Sequence, residues 1–423
     1  MRLIDKNARD FDQLRREYRW QIPENFNMAE AVCDRHAIGA DRVALFTETA
    51  TGRCNQFTFA QLKELSNRFA NALRSMGVTA GDRVAIVLPQ RVETGLCHLA
   101  AWKLGAISLP LSILFGPDAL RYRLEDSGAR VVIAAGAALD RVHALMPDLP
   151  GLERVIDCDD QRDGFWPLLE KGSAGLEPIQ TQSDDPALII YTSGTTGPPK
   201  GAVVAHRCLL GNLTGFEMSQ NFFPQEGDLM WTPADWAWTG GLLDALIPAW
   251  YYGCPVLGYD GGRFDAEQAC HMIARYRVRN AFIPPTALKM MRQVGDLRAL
   301  GVDLRSVMSA GETLGAQLYE WAMSALGIGI NEMCGQTEFN YIIGNCSEIM
   351  PVKPGSMGKA YPGHVVEPMD ENGCKLPVGK IGELFAHRDD PVMFLGYWNR
   401  EQETKEKLNG DWWSTGDIGY RDD

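Results

Sequence analysis

The chain has 423 residues, 45% of them hydrophobic and 22% charged, with 43 glycines; this composition suits a soluble globular protein of the α/β type and excludes a fibrous or disordered one. A formal charge of −13 with no lysine or arginine block excludes a general nucleic-acid surface, so an anionic ligand must be held by donors placed locally. No apolar run reaches bilayer length, so no membrane span is expected. The ten cysteines, with no CxxC pair and no zinc spacing, read as reduced thiols of a cytoplasmic protein.

In the N-terminal stretch Asp5, Asp10, Asp12 and Glu17 are interspersed among the arginines, which argues against a transit peptide and for an amphipathic helix lying on the body of the protein. No apolar core follows Arg2, so no signal peptide is expected. Val43 to Phe46 reads as a strand. Thr58 and Gln61 have the spacing of a capping box, Phe57 and Leu62 that of a hydrophobic staple, and Leu62, Leu65, Phe69, Ala72, Leu73 and Met76 recur at helical spacing until Gly77. Strands at Val84 to Leu88, Ala106 to Leu111 and Val131 to Ala135, separated by helices at Glu93 to Leu104 and after Pro117, predict parallel sheets covered by helices. An excursion rich in Asp, Gly, Ser and Pro follows over 157–186.

Leu188-Ile189-Ile190 has the character of a buried strand and runs into TSGTTGPPKG, Thr192 to Gly201. Gly194 and Gly197 can take backbone angles closed to other residues, so successive amides can converge on an anion. Thr192, Ser193, Thr195 and Thr196 add hydroxyl donors, and Lys200 adds a point charge. The common nucleotide loop GxxxxGK[ST] is absent, since Pro199 precedes Lys200 and Gly201 follows it. A flexible linker with a stray lysine is the competing reading; the buried strand before the loop and the apolar residues after it count against that.

A helix is expected from Arg207 to Met218. Three tryptophans then fall within eight residues, Trp231, Trp236 and Trp238, and composition alone makes them core or pocket lining. Ala281 to Thr286 and Val307 to Glu312 each read as a strand running into a loop or helix, and ligands in open parallel sheets sit beyond the carboxyl ends of such strands. Asn331 to Glu338 ends in Gln336-Thr337-Glu338. From Pro354 onward glycines and β-formers dominate, with Asn372-Gly373 a hairpin turn and Ile381 to Ala386 a strand.

TSGTTGPPKG resembles the signature loop of the adenylate-forming, or AMP-binding, superfamily, which includes acyl- and aryl-CoA synthetases. Ser309-Ala310-Gly311-Glu312, Asn331 to Glu338, Met393 to Trp398 and Ser414-Thr415-Gly416-Asp417 match further segments of that family in its order. The Trp231 to Gly241 region and the N-terminal segment look most like short- and medium-chain acyl-CoA synthetases. The resemblance implies two helix-flanked, mostly parallel β-sheets plus a small β-barrel-like subdomain, all within one N-terminal domain spanning 1–423. Approximate divisions are 1–205, with the phosphate loop, then 206–335 and 336–423.

The resemblance also implies the chemistry. Residues Thr192 to Gly197 and Lys200 would hold the β- and γ-phosphates of ATP. Gly311 and Glu312 would lie against adenine, with Cys334 where an aromatic usually packs on the base and Gln336 beside it. Thr337 would bond the α-phosphate, Glu338 would ligate Mg²⁺, and Asp417 would take the ribose hydroxyls. Trp236, Trp238, Thr239, Gly240 and Gly335 would border the acyl and CoA path, and Gly335, where acetate-specific relatives have a tryptophan, predicts a pocket deeper than acetate needs. The implied reaction is activation of a medium-chain, branched or aromatic acid as acyl-adenylate and then acyl-CoA, with AMP and pyrophosphate released. Alternatives are an adenylation domain serving a carrier protein, with Asp235 anchoring a substrate amine, and a non-catalytic nucleotide-binding module. Family members continue past Asp423 into a hinge and a mobile domain carrying a further lysine, so the chain is expected either to be an isolated large domain, impaired in adenylation, or to be a part whose remainder is not included. A homodimer is left open.

Overall fold

The computed structural model describes residues 2–8, 10–39, 41–192 and 197–422. Two large sheets form its body. The first has seven strands, in the order Gly396–Tyr397, Lys200–Ala205, Pro186–Thr192, Ile107–Pro110, Arg83–Val87, Val131–Ala134 and Arg154–Asp157. Its last five strands run parallel, and the Lys200–Ala205 strand is antiparallel to both its neighbours. The second has nine: Lys359–Ala360, Phe339–Gly344, Ile330–Gln336, Ser306–Ser309, Asn280–Phe282, Met230–Trp231, Val256–Asp260, Val43–Thr49 and Cys54–Thr58. Its core from Ile330–Gln336 to Val43–Thr49 is parallel, with antiparallel strands at both edges.

Alternation along the strands explains how these sheets stack, because successive side chains leave a strand on opposite faces. Val84, Ile86, Leu188 and Ile190 of the first sheet and Met230, Val256, Met308 and Met333 of the second share one central cluster. Their neighbours Ala85, Val87, Ile189 and Tyr191 pack outward with the helices Pro117–Ser127 and Gly136–Leu145. Trp231, Leu257, Ala281 and Val307 pack outward beneath Ala266–Tyr276, Pro285–Met291 and Ala316–Ala325. The helix Cys208–Ser219 contributes Leu209, Leu213 and Phe216 to the central cluster and is buried at all twelve residues. Its polar residues Asn212, Thr214, Glu217 and Ser219 are buried with hydrogen-bond partners.

A third sheet of four antiparallel strands, Val366–Met369, Gly382–His387, Trp412–Gly419 and Leu408–Asn409, forms a curled half-barrel. The two-sheet-plus-barrel expectation therefore holds, but the sheets do not follow continuous divisions of the sequence. Val43–Thr49 and Cys54–Thr58 belong to the second sheet and Gly396–Tyr397 to the first, so strands cross the boundaries expected at 205 and 335. The N-terminal helix covers Phe11–Glu17, capped by the Asp10 side chain, with only Phe11 buried. Thr58 and Gln61 form the capping box at the start of Phe59–Ser75.

Candidate active site

The strand Pro186–Thr192 ends where Lys200–Ala205 begins, with Thr192 paired to Lys200. Ser193, Gly194, Thr195 and Thr196 lie outside the described residues. Gly197 has φ of 93°, and a Cβ there would meet nothing within 4 Å; the left-handed backbone angle explains the glycine. The Tyr122 hydroxyl donates to the Pro199 carbonyl at 2.9 Å, tying the loop's exit to the helix Pro117–Ser127.

Glu338 sits in the tight turn between Ile330–Gln336 and Phe339–Gly344 and is only 8% exposed. Lys200 and Glu338 come from different sheets, and one residue spans them. The Tyr397 hydroxyl donates to Glu338 Oε1 at 2.5 Å, and Lys200 Nζ lies 5.1 Å from the centroid of the same ring. Burial and the Glu338 carboxylate push the Tyr397 phenol far above its ordinary range, so it stays a donor. The segment carrying Tyr397 is stitched to both sides: Phe394 N donates to Glu338 O at 2.9 Å, while Leu395 N and Trp398 N donate to Val203 O and Gly201 O at 2.8 and 2.7 Å.

Other expected residues gather at neighbouring strand ends. Thr337 Oγ1 is 3.3 Å from Thr239 Oγ1. Gln336 Nε2 donates to Asp417 Oδ2 at 2.8 Å and to Thr415 O at 2.9 Å, which brings the exposed Asp417 of the half-barrel to the edge of the cleft. Gly311 has φ of 90°, and Glu312 accepts from the Thr286 hydroxyl at 2.7 Å, so the loops after Ser306–Ser309 and Asn280–Phe282 converge. Cys334 is largely buried beside Asp417 and Glu332, and burial pushes its thiol up to about 11.

The tryptophan stretch divides. Trp238 is 40% exposed, meets Phe115 edge-on at 5.7 Å, and lines a 660 Å³ cavity with Ile113, Leu114, Trp231 and Tyr259. Trp236 is wholly buried in the central core and does not line that cavity. Gly240 and Gly335 are also absent from its lining. A Cβ on Gly240 would lie 2.5 Å from the Phe282 ring, and one on Gly335 2.7 Å from the Tyr341 amide nitrogen. The bulged hairpin therefore gives Gly335 a local backbone reason. Asp235 lines the cavity, but Oδ2 accepts from Ser112 Oγ at 2.8 Å and Oδ1 from Ala237 N at 3.0 Å, which braces its own loop.

Sequence reasoning gave no role to Tyr397, although it lies in a segment already matched, nor to Asp244. Asp244 lies on a single wide turn, Leu242–Leu246, with five-residue hydrogen-bond spacing, a feature common near functional sites. It accepts from the Asn340 amide, and burial pushes its carboxyl up to about 8. A lone aspartate in an apolar run carries no signal of that environment.

An ammonium and a buried carboxylate that both meet Tyr397 can together hold a polyphosphate and a hard cation. Among the described residues Glu338 Oε2 accepts no hydrogen bond, leaving it free for such a cation, though no cluster of three or more potential metal ligands exists there. One carboxylate with phosphate oxygens and water suffices for Mg²⁺, so the donor set fits.

Fold and cleft together define an AMP-binding enzyme: the sequence pattern of that family matches residues 33–398, and the chain belongs to it. Within the family it is 31% identical to the mitochondrial acyl-coenzyme A synthetase ACSM2 of Rattus norvegicus, across 95% of this chain and 72% of that one. It is 30% identical to the acetyl-coenzyme A synthetase of Bacillus subtilis (strain 168), across 99% and 76%. Among solved structures it is similar to a Brucella canis acyl-CoA synthetase, with TM-score 0.88, 29% identity and coverage of 98% and 78%. It is also similar to the anthranilate CoA ligase AuaEII in complex with anthranoyl-AMP, with TM-score 0.86, 27% identity and coverage of 94% and 75%.

Proposed function

We propose that the chain activates a carboxylic acid with ATP. The acid's oxygen attacks the α-phosphorus and pyrophosphate leaves; the thiolate of CoA then attacks the carbonyl of the acyl-adenylate, forming acyl-CoA and displacing AMP. The observation that carries this reading is that Lys200 and Glu338, from different sheets, meet one residue: the Tyr397 hydroxyl bonds Glu338 and Lys200 Nζ lies 5.1 Å from the same ring. Lys200, with the loop Thr192 to Gly197, holds the departing phosphates; Thr337 orients the α-phosphate; Asp417, braced by Gln336, takes the ribose; Gly311, Glu312 and Cys334 flank the base. Catalysis is positioning plus charge stabilisation, and no side chain serves as nucleophile. Mg²⁺ on Glu338, when bound, supplies neutralisation of phosphate charge.

The acid enters by Trp238, Thr239 and Gly240 and is medium-chain, branched or aromatic; the similarity to a ligase bound to anthranoyl-AMP supports the aromatic member of that set. An amine-anchoring role for Asp235, which a carrier-protein adenylation domain would use, is disfavoured by the partners its two oxygens already have. The test is ATP–pyrophosphate exchange by the protein with acetate, hexanoate, branched acids, benzoate and amino acids. Stimulation by hexanoate, a branched acid or benzoate beyond that by acetate is expected. Stimulation by amino acids alone would refute the substrate class, and ATP binding without exchange for any acid would refute catalysis.

A further inference from the structure

Glu403 belongs to the short, charged helix Glu401–Glu406, none of whose residues is buried. Its carboxylate is nevertheless committed: Lys200 Nζ lies 2.6 Å from Glu403 Oε2, with the two side chains 22% and 37% exposed. The helix is held in the register that makes this contact. Thr404 Oγ1 accepts from the Tyr397 amide at 2.9 Å and donates to Arg400 O at 3.0 Å. The helix therefore starts from the same segment that spans the cleft. A second cation stands beside the pair, with Arg400 Nε 3.5 Å from Glu403 Oε1 and Arg400 Nη2 3.2 Å from Asp126 Oδ1. Tyr191 donates to Asp126 at 2.7 Å, which fixes that end of the network to the phosphate-loop strand.

We propose that Glu403 is a positioning residue acting as a latch on Lys200: it neutralises the ammonium in the nucleotide-free protein, and the incoming polyphosphate must displace it. This rests on the ATP-activating function proposed above. A phosphate oxygen needs the same ammonium protons that Glu403 takes, and the carboxylate repels any phosphate brought near it. Arg400 gives the displaced carboxylate a place to go, so the exchange leaves no charge unpaired. The latch lowers affinity for the polyphosphate and keeps the loop lysine ordered and paired until nucleotide arrives.

The test is equilibrium titration of Mg·ATP, and of adenosine as a probe without phosphate, into the parent chain, Glu403→Gln and Glu406→Gln. Glu406 lies on the same helix and bonds with Gln402 rather than with Lys200. Glu403→Gln should bind Mg·ATP about two- to five-fold more tightly, as expected for releasing a partly exposed ion pair. The gain should shrink as salt rises from about 0.05 to 0.5 M. Adenosine affinity should not change, and Glu406→Gln should match the parent. Equal or weaker Mg·ATP binding by Glu403→Gln, in a parent that does bind, overturns the latch and leaves the activating function standing. So does an equal gain in Glu406→Gln or in adenosine binding. A folded parent that binds no Mg·ATP overturns both.

Discussion

Tyr397 meets both charges of the cleft, the ammonium through its ring and the carboxylate through its hydroxyl. Phenylalanine at this position keeps the first contact and deletes the second, leaving Glu338 without its donor. Because hydrogen bonds to charged groups contribute about 1.5–3 kcal/mol, Tyr397→Phe should weaken the Mg²⁺ dependence of ATP binding by about ten-fold or more. Titrations at fixed ATP and varied Mg²⁺ would show this, and an unchanged Mg²⁺ midpoint would remove the tyrosine from the site. Asp244 offers a different readout. Its carboxyl rises from an ordinary 3.8 to about 8 on burial. Between those values the folded chain keeps a proton that the unfolded chain releases. This group's contribution is therefore fully present below the lower value and is lost as pH climbs through the upper one. Asp244→Asn retains an acceptor for Asn340 and cannot ionise. The variant's melting temperature should run close to the parent's at about pH 4.5 and exceed it increasingly toward pH 8; a pH-independent difference would mean the proton is held elsewhere. At this scale the sequence was informative where a motif fixed position, as for Lys200, Thr337 and Glu338. It was silent where environment decides, as for Trp236 against Trp238 and for Asp244.

Among the elements, the helix Cys208–Ser219 sets the distance between the central core and the strand behind Glu338. A Cβ on Gly215 would fall 2.5 Å from the Tyr341 ring and 2.7 Å from its carbonyl oxygen. Tyr341 itself has φ of 57°, an uncommon angle for an aromatic residue. Gly215→Ala should cost about 1–3 kcal/mol despite alanine's better helix propensity, as overpacking does in other cores. Denaturant unfolding would measure it, and a stabilised variant would mean the helix can shift freely. Element types and core faces were legible because apolar alternation and helical spacing are local. The pairing of Val43–Thr49 with the second sheet and of Gly396–Tyr397 with the first was not. A strand's partner is chosen by how the chain crosses over in space, and a two-residue strand has no period to read.

The whole molecule carries a formal charge of −13 and still presents a cleft suited to an anion. Its general field opposes nucleotide, so affinity must come from a few local cations and oriented donors. No helix among the described residues is long and apolar enough to cross a membrane. Lys200 comes from the first sheet and Glu338 from the second, and the short segment carrying Tyr397 bonds to both, which makes the site a property of the assembled fold.

Titration of Mg·ATP into the parent chain and into Lys200→Ala tests that assembly most directly. The parent should bind, and the variant, having lost a charge-assisted contact to phosphate, should bind about ten-fold more weakly or worse while adenosine affinity stays the same. Equal Mg·ATP affinity in the two proteins, or none in a folded parent, would contradict the placement of the triphosphate between Lys200 and Glu338.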